Sequence, residues 1–282
     1  MLGLGTGINK LSSAEAASIA SRSGGYLLDT YSGAAAAYSL RQLSSSYSGN
    51  AVKVRRSSDN TETDIGFVGG ELDTASLSSF AGAGDAFVVS WFDQSGNGLD
   101  VTTNSATYQP QIVASGTLYV SNGKPSFGEP AGGTRYFRRS ISTNSLHTSN
   151  EFTTVAVYED KGFTARIRFG DYIADFPAWL PRRFSADQAY SPTFRQGGTS
   201  ITNSQVIAFL NRSGDSVTAY QNNTSTINAT DTASIVERTS TQFPISQLRY
   251  NAWVQEYIIW PSDLLNNRTD IQDGINNFYG TY

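Results

Sequence analysis

Asp85-Ala-Phe-Val-Val-Ser-Trp-Phe-Asp-Gln-Ser-Gly-Asn-Gly98 is the stretch on which the reading of this 282-residue chain turns. Residues 85–92 are dense in β-branched and aromatic side chains, which favour a strand. Alternation puts Phe87, Val89 and Trp91 on one face. The six residues from Asp93 to Gly98 form a tight turn, because the chain must reverse sharply after a buried strand and Asn97-Gly98 permits it.

The pattern continues on both sides. Residues 51–55 alternate, with Val52 and Val54 facing one way and Lys53 and Arg55 the other, as in a half-buried strand. Further strand-like pieces occupy 111–113, 118–120, 152–158 and 166–169, and 205–210 and 216–221 flank the hairpin signal Asn211-Arg-Ser-Gly-Asp215. Residues 250–260 are apolar on both faces apart from Gln255 and Glu256, which suits a central strand covered on both sides. Helical spacing appears in three places. Ala37, Leu40, Leu43 and Tyr47 form a stripe over 31–47, opened after Gly33 and closed near Gly49. Thr74 can cap a short helix with Leu77 and Phe80 inward, ended by the Gly82 region. Ser262 can cap a final helix with Asp263 in its first turn and Leu264, Leu265, Ile271, Ile275 and Phe278 on one face, stopped by Gly280, although Gly274 lies within it. No repeat of 20–50 residues and no long linker divides the chain. The expected architecture is mostly β: a jelly-roll β-sandwich over 26–282 with a few short peripheral helices and a C-terminal helix, preceded by an arm over 1–25 with a short helix around 13–21.

Composition narrows the chemistry. Hydrophobic residues make up 39% and charged residues 16%, which fits neither a charged disordered chain nor a membrane protein. A formal net charge of −4 argues against a general nucleic-acid binder. Cysteine is absent and His147 is the single histidine, so disulfides, thiolate metal sites and multi-histidine metal sites are excluded within one chain. The first residues lack the apolar run of a secretory signal, and no run approaches a membrane span. Neither a nucleophile elbow, a zincin motif, a P-loop nor a dinucleotide fingerprint occurs.

Several clusters are candidate sites. Asp93, Ser95 and Asn97, followed by Gly98, reproduce the opening of a calcium loop, but position 12 is Asn104 and no helix precedes it. A structural turn uses the same residues to bind backbone amides, with glycines at positive φ. Cleavage of a sugar linkage needs two acids across a cleft. Asp93, Asp171, Asp175, Glu237 and Glu256 are the interior candidates among the acids, and Glu256, between Val254 and Ile258, is either a buried acid or one paired with an arginine such as Arg249. Arg135-Tyr-Phe-Arg-Arg139 and Arg182-Arg183 could grip anionic sugars or form subunit contacts. Tyr172, Trp179, Tyr190 and Phe194 could stack on sugar rings or form core beneath a long loop.

Two segments resemble known families. From Ser32 to Gln111, Ser-Gly-Ala-Ala-Ala-Ala-Tyr-Ser-Leu-Arg-Gln-Leu, Val-Lys-Val-Arg-Arg-Ser-Ser-Asp-Asn, Ile-Gly-Phe-Val-Gly-Gly and Trp91-Phe-Asp-Gln-Ser-Gly-Asn-Gly98 resemble a module of bacteriophage tail-fibre and other virion proteins, cyanophages included. The same stretch is similar to the first half of the arabinofuranosidase B catalytic domain, where the turn recurs. From Ala252 to Tyr282, Val-Gln-Glu-Tyr-Ile-Ile-Trp and a helix closing in Asn-Phe-Tyr-Gly-Thr-Tyr resemble the end of concanavalin A-like (laminin-G-like) sandwiches on phage proteins. The catalytic Glu and Asp of arabinofuranosidase B lie in the second half of its domain, in contexts not found here, and its cysteines are absent. The resemblance therefore implies the fold and not the catalysis. What it implies is a phage virion structural protein, in a tail fibre, tail tip or capsid-surface appendage, and not an enzyme. It would hold other virion proteins through its N-terminal arm, form a homo-oligomer, and bind host-surface polysaccharide through Tyr172, Trp179, Tyr190, Arg182 and Arg183. No cofactor beyond possible calcium, no nucleic acid and no membrane insertion is expected. A purely architectural virion subunit and a glycoside hydrolase related to arabinofuranosidases are the alternatives.

Overall fold

The structure, a computed structural model, describes residues 25–128, 134–135, 137, 151–160, 166–169, 204–230, 245–249 and 252–282. The arm over 1–24, with the helix expected around 13–21, lies outside the described residues. In chain order the elements begin with α1 (Leu27–Thr30), β1 (Ala36–Ser39), β2 (Val52–Arg56), β3 (Glu62–Ile65), β4 (Phe67–Val68), β5 (Glu71–Leu72), α2 (Thr74–Ala81) and β6 (Ala86–Trp91). Short strands follow: β7 (Val101–Thr102), β8 (Gln111–Ala114), β9 (Thr117–Leu118), β10 (Val120–Ser121), β11 (Lys124–Pro125), β12 (Phe127–Gly128) and β13 (Thr134–Arg135). The second half holds β14 (Glu151–Asp160), β15 (Arg166–Phe169), β16 (Gln205–Ser213), β17 (Ser216–Gln221), β18 (Thr224–Thr230), β19 (Ile245–Arg249), β20 (Ala252–Trp260) and α3 (Arg268–Tyr279).

One large antiparallel sheet runs in the order β18-β17-β16-β14-β20-β12-β8-β6-β2-β3. Strand β20 is its hinge. Along one edge it pairs with β14; along the other it pairs with β1 over 256–259 and with β12 over 253–254. The sheet encloses a core of Tyr38, Val52, Val54, Val88, Trp91, Ile112, Phe127, Tyr158, Val206, Val254 and Tyr257. Trp91 is its pivot, packing edge-on to Phe127 at 4.8 Å and tilted against Tyr38 at 5.5 Å. On the outer face of β14, β16 and β20, Val155, Val157, Ile207, Phe209, Ile258 and Trp260 pack against Leu27 and Leu28 of α1 and Ile271, Ile275 and Tyr279 of α3. Strand β20 is thus covered on both sides, as its doubly apolar sequence requires. The architecture is the mostly-β jelly-roll sandwich with a few short helices and a C-terminal helix.

Three local readings are corrected. The stripe over 31–47 is not a helix: Ala36–Ser39 is strand β1, hydrogen-bonded to the edge of β20. Ala37, Leu40 and Leu43 are buried, but on non-helical backbone. Alanine's helical preference is worth only tenths of a kcal/mol per residue, and completing the edge of a buried strand outweighs it. Second, Phe87, Val89 and Trp91 do not share the core face. Strand β6 carries an extra residue opposite β2, where Lys53 pairs with Ser90 and Val54 with Val88. The resulting bulge at Val89 brings Val88 and Trp91 both inward. Third, the caps sit elsewhere: Asp73, not Thr74, accepts the Ser76 amide at the start of α2, and a 3₁₀ turn over Leu265–Asn267 precedes α3, so Ser262 caps nothing. Gly280 does end α3, in the left-handed conformation.

Candidate functional site

The registers of neighbouring strands define one continuous transverse row. Gln205 of β16 pairs with Glu159 of β14, Glu159 with Trp253 of β20, and Trp253 with Gly128 of β12. Gly128 pairs with Gln111 of β8, Gln111 with Phe87 of β6, Phe87 with Arg55 of β2, and Arg55 with Glu62 of β3. Residues directly opposite one another on paired strands share a face. Their chain neighbours Tyr158, Val206, Val254, Ile112 and Val54 point into the core, so the row lies on the outer face.

At the centre of this row a second aromatic joins from the loop before β10. The Tyr119 ring stacks on Trp253 with centroids 4.7 Å apart and planes 8° from parallel, and its hydroxyl donates to Gln111 Oε1 at 3.2 Å. Trp253 and Gln111 flank Gly128 in the row, and Tyr119 contacts both of them. Glu159, on one side of the stack, is only 6% exposed, and Gln111, on the other, 8%. Gln205 continues the row, accepting from Thr281 Oγ1 at 2.6 Å and donating to Gln255 Oε1. Gln255 is the extra residue of a second bulge, between the pairs Val157–Glu256 and Tyr158–Val254. Its amide donates to the carbonyls of Ser121, Lys124 and Pro125 at 3.0–3.2 Å, seating the β10–β11 hairpin beside the row. The far end is closed electrostatically: the Arg55 guanidinium lies 5.1 Å over Phe87 and donates to Gln109 at 2.6 Å and Asn60 at 2.9 Å.

Two strand positions further along β20, on the same outer face, Glu256 is fully buried. Its partner is Arg41, not Arg249. The Arg41 Nε donates to Oε2 at 2.7 Å and Nη2 to Oε1 at 3.0 Å, while Ser39 and Tyr279 hydroxyls donate to Oε2 at 2.8 and 3.2 Å. Burial opposes the charge on Arg41, but the adjoining carboxylate more than offsets it, and the guanidinium is held more firmly protonated than usual. Burial, followed by the Glu256 charge, pushes the Tyr279 hydroxyl well above the ordinary tyrosine value. Fully buried and held by four fixed donors, Glu256 is tied into the frame of the fold.

Asp93 is equally occupied. Oδ1 accepts from the amides of Ala37 and Ser95, both at 2.9 Å; Oδ2 accepts from Ser95 Oγ at 2.8 Å and the Leu99 amide at 2.9 Å. The Asn97 amide group donates to the carbonyls of Ala34 and Ala35 at 3.0 Å, and Gln94 holds Leu43, Ser39 and Arg41. Gly96 and Gly98 take φ of 89° and 65°. The turn therefore staples the chain from residue 34 to 43 onto the edge of β20. No group of three or more potential metal ligands gathers among the described residues. Tyr172, Trp179, Arg182, Arg183, Tyr190, Phe194, Asp171, Asp175, Glu237 and His147 lie outside the described residues; Arg135 is placed only by its backbone, opposite Leu248. Among the described residues no helix is long and apolar enough to cross a membrane. Glu159, Trp253, Tyr119, Gln111 and Gln205 escaped sequence reasoning. One signal was available: Glu159 follows Val155 and Val157 at a period of two, an acid in apolar phase.

Comparisons with known proteins place the fold. Residues 29–127 match the model of the alpha-L-arabinofuranosidase B catalytic family. Among solved structures, an arabinofuranosidase complexed with arabinofuranosyl-alpha-1,2-xylobiose is 17% identical, with a TM-score of 0.61 over 88% of this chain and 64% of that one. A GH54 α-L-arabinofuranosidase soaked with a cyclic sulfate inhibitor is 16% identical, with a TM-score of 0.56 and the same coverage, 88% and 64%. The chain thus spans 64% of the length of these relatives. No curated protein sequence matches it. These findings correct the expectation of a phage virion structural protein that is not an enzyme. The matching family model is that of a glycoside-cleaving catalytic domain, and nothing found supports a phage, tail-fibre or virion origin.

Proposed function

We propose that this chain is a carbohydrate-active domain of the arabinofuranosidase type, a glycoside hydrolase releasing α-L-arabinofuranosyl groups from polysaccharide. The observation that carries this reading is the family match over 29–127, which spans the elements from β1 to the first residue of β12. The outer-face row adds chemical support. Cleavage of a glycosidic bond uses two carboxyl groups, about 5–5.5 Å apart when configuration is retained and about 6.5–9.5 Å when it is inverted. Glu159 stands in the row beside an aromatic pair and two amides and takes one of these roles. Glu62, at the opposite end, is six inter-strand steps away, about 29 Å along the sheet, and cannot be its partner. Asp171 and Asp175 lie between β14 and β16 in the chain and are the acids to test for the second role. The reaction runs on carboxyl groups and water and requires no cofactor.

The test is release of 4-nitrophenol from 4-nitrophenyl α-L-arabinofuranoside by the purified chain. Turnover is expected, with its loss on substituting Glu159→Gln and on substituting one of Asp171→Asn and Asp175→Asn. A folded chain that releases nothing from this substrate or from arabinose-bearing polysaccharide overturns the reading.

A further inference from the structure

We infer that the stacked pair Tyr119–Trp253 is a platform for an uncharged sugar ring of the polysaccharide chain, separate from the group that reacts; this deepens the hydrolase reading and rests on it for the substrate class.

Four observations carry it. First, neither ring belongs to the cores. Trp253 precedes seven consecutive buried residues of β20, yet it and Tyr119 are only half-buried and are in neither hydrophobic cluster. Two large aromatics held near the surface forgo part of the stabilisation that burial would give them, about 25 cal/mol per Å² of apolar area. Second, the pair is fixed in orientation. Trp253 is anchored by pairing to Glu159 and Gly128, and Tyr119 by the stack and its hydroxyl bond to Gln111. A fixed aromatic plane loses little entropy when a ligand arrives.

Third, polar side chains border the plane on both sides. From Glu159 to Gln111 the row crosses three inter-strand steps, about 14 Å, with a carboxylate at one end, the aromatics between, and at the other a carboxamide that accepts from Tyr119 and donates to the Val113 carbonyl. A pyranose ring with equatorial hydroxyls has that character: apolar C–H faces that meet an aromatic ring and a polar rim that meets the groups around it. Fourth, the charge is wrong for anions. The row's arginine, Arg55, sits at the far end and is committed to Phe87, Gln109 and Asn60.

The experiment is titration calorimetry of the intact chain with arabinofuranosyl-α-1,2-xylobiose, alongside nitrophenol release. Trp253→Ala and Tyr119→Ala are each expected to weaken oligosaccharide binding about tenfold, and Trp253→Phe about threefold. Near-ultraviolet circular dichroism checks folding; if Trp253→Ala fails to fold, Trp253→Phe and Tyr119→Ala decide. Unweakened binding in the folded variants overturns the platform while leaving the hydrolase reading intact, and so does a wild-type chain that does not bind the oligosaccharide at millimolar concentration yet turns over the aryl substrate. Binding that depends on both rings in a chain without turnover upholds the platform and overturns the hydrolase reading.

Discussion

Two acids lie on the same outer face of the central sheet, one strand apart, and the protein treats them in opposite ways. Glu256 is roofed by α3, gripped by both arms of the Arg41 guanidinium, and further bonded by Ser39 and Tyr279. Glu159 stands in a row of amides and half-buried aromatics beside the point where the chain leaves β14 for the long segment leading to β16. The difference teaches that burial alone does not mark a working acid. A fully buried carboxylate held by four fixed donors is part of the frame. Glu159, itself nearly buried, shares its face with the half-buried Tyr119–Trp253 stack.

The largest effect that tests this contrast is on stability. Glu256→Leu leaves the Arg41 charge buried without compensation, at a cost of about 3–5 kcal/mol. Urea unfolding would show it as a lower midpoint with an unchanged slope. The double substitution Arg41→Met with Glu256→Leu is expected to recover most of the loss, because the pair's desolvation is removed with the pair. Next comes Glu159→Gln, which keeps the shape and removes the charge. It is expected to cut turnover of the aryl arabinoside at least a hundredfold, the lower bound for removing a general acid or base, while the unfolding midpoint barely moves. Exchange of these outcomes, with Glu256 controlling rate and Glu159 controlling stability, would break the comparison.

How much of this could be read from residues alone follows the same division. The strand after Gly84, the turn at Asp93, the doubly covered β20 and the helix ending at Gly280 each have a local signature: β-branched density, Asn-Gly, apolar runs on both faces, or a glycine at the C-cap. The strand at Ala36–Ser39 has none, since the alanine-rich run from Ala34 to Ala37 reads as helix until the edge of β20 claims its end. Val89 fails for a related reason: a bulge cancels the alternation, and nothing within six residues announces it. The row is the least legible feature. Gln205, Glu159, Trp253 and Gln111 are up to 142 positions apart, and only the pairing registers set them side by side. Glu256 reads from the sequence as a buried acid or half of an ion pair, but its partner comes from 215 residues away.

A smaller effect appears at high pH. Burial, then the nearby charges of Asp100 and Asp93, pushes the Tyr47 hydroxyl from its ordinary value of 10.0 up to about 12. The folded state therefore holds a proton that the unfolded chain releases above about pH 10. The stabilisation from that site is intact below pH 10 and is lost as the pH rises toward 12. Tyr279, buried against Glu256, acts in the same direction. Denaturation series between pH 9 and 11.5 should show declining stability, with a shallower decline in Tyr47→Phe from a starting point about 1 kcal/mol lower, since its hydroxyl bond to the Asn50 carbonyl is lost. Oligosaccharide binding by the folded fraction should not follow the same curve.

The smallest effect tests whether roof and row are independent. Gly280 ends α3 at φ 63° and ψ 39°, donating its amide to the Asn276 carbonyl at 2.6 Å. A Cβ there would come 3.6 Å from Asn122 Nδ2, an ordinary contact, so the cost of Gly280→Ala is conformational rather than steric. It should be about 1 kcal/mol, the penalty of the left-handed region for an L-residue. The strain falls where α3 meets Asn122, whose amide donates to the carbonyls of Tyr279 and Gly280 at 2.6 and 2.7 Å. That turn belongs to the hairpin seated by Gln255, and Tyr119 immediately precedes it. If the two regions are separate devices, the unfolding midpoint drops slightly and oligosaccharide affinity is unchanged. If affinity drops as it does in Trp253→Ala, then the helix end positions Tyr119 through the hairpin, and the frame and the platform form one mechanical unit.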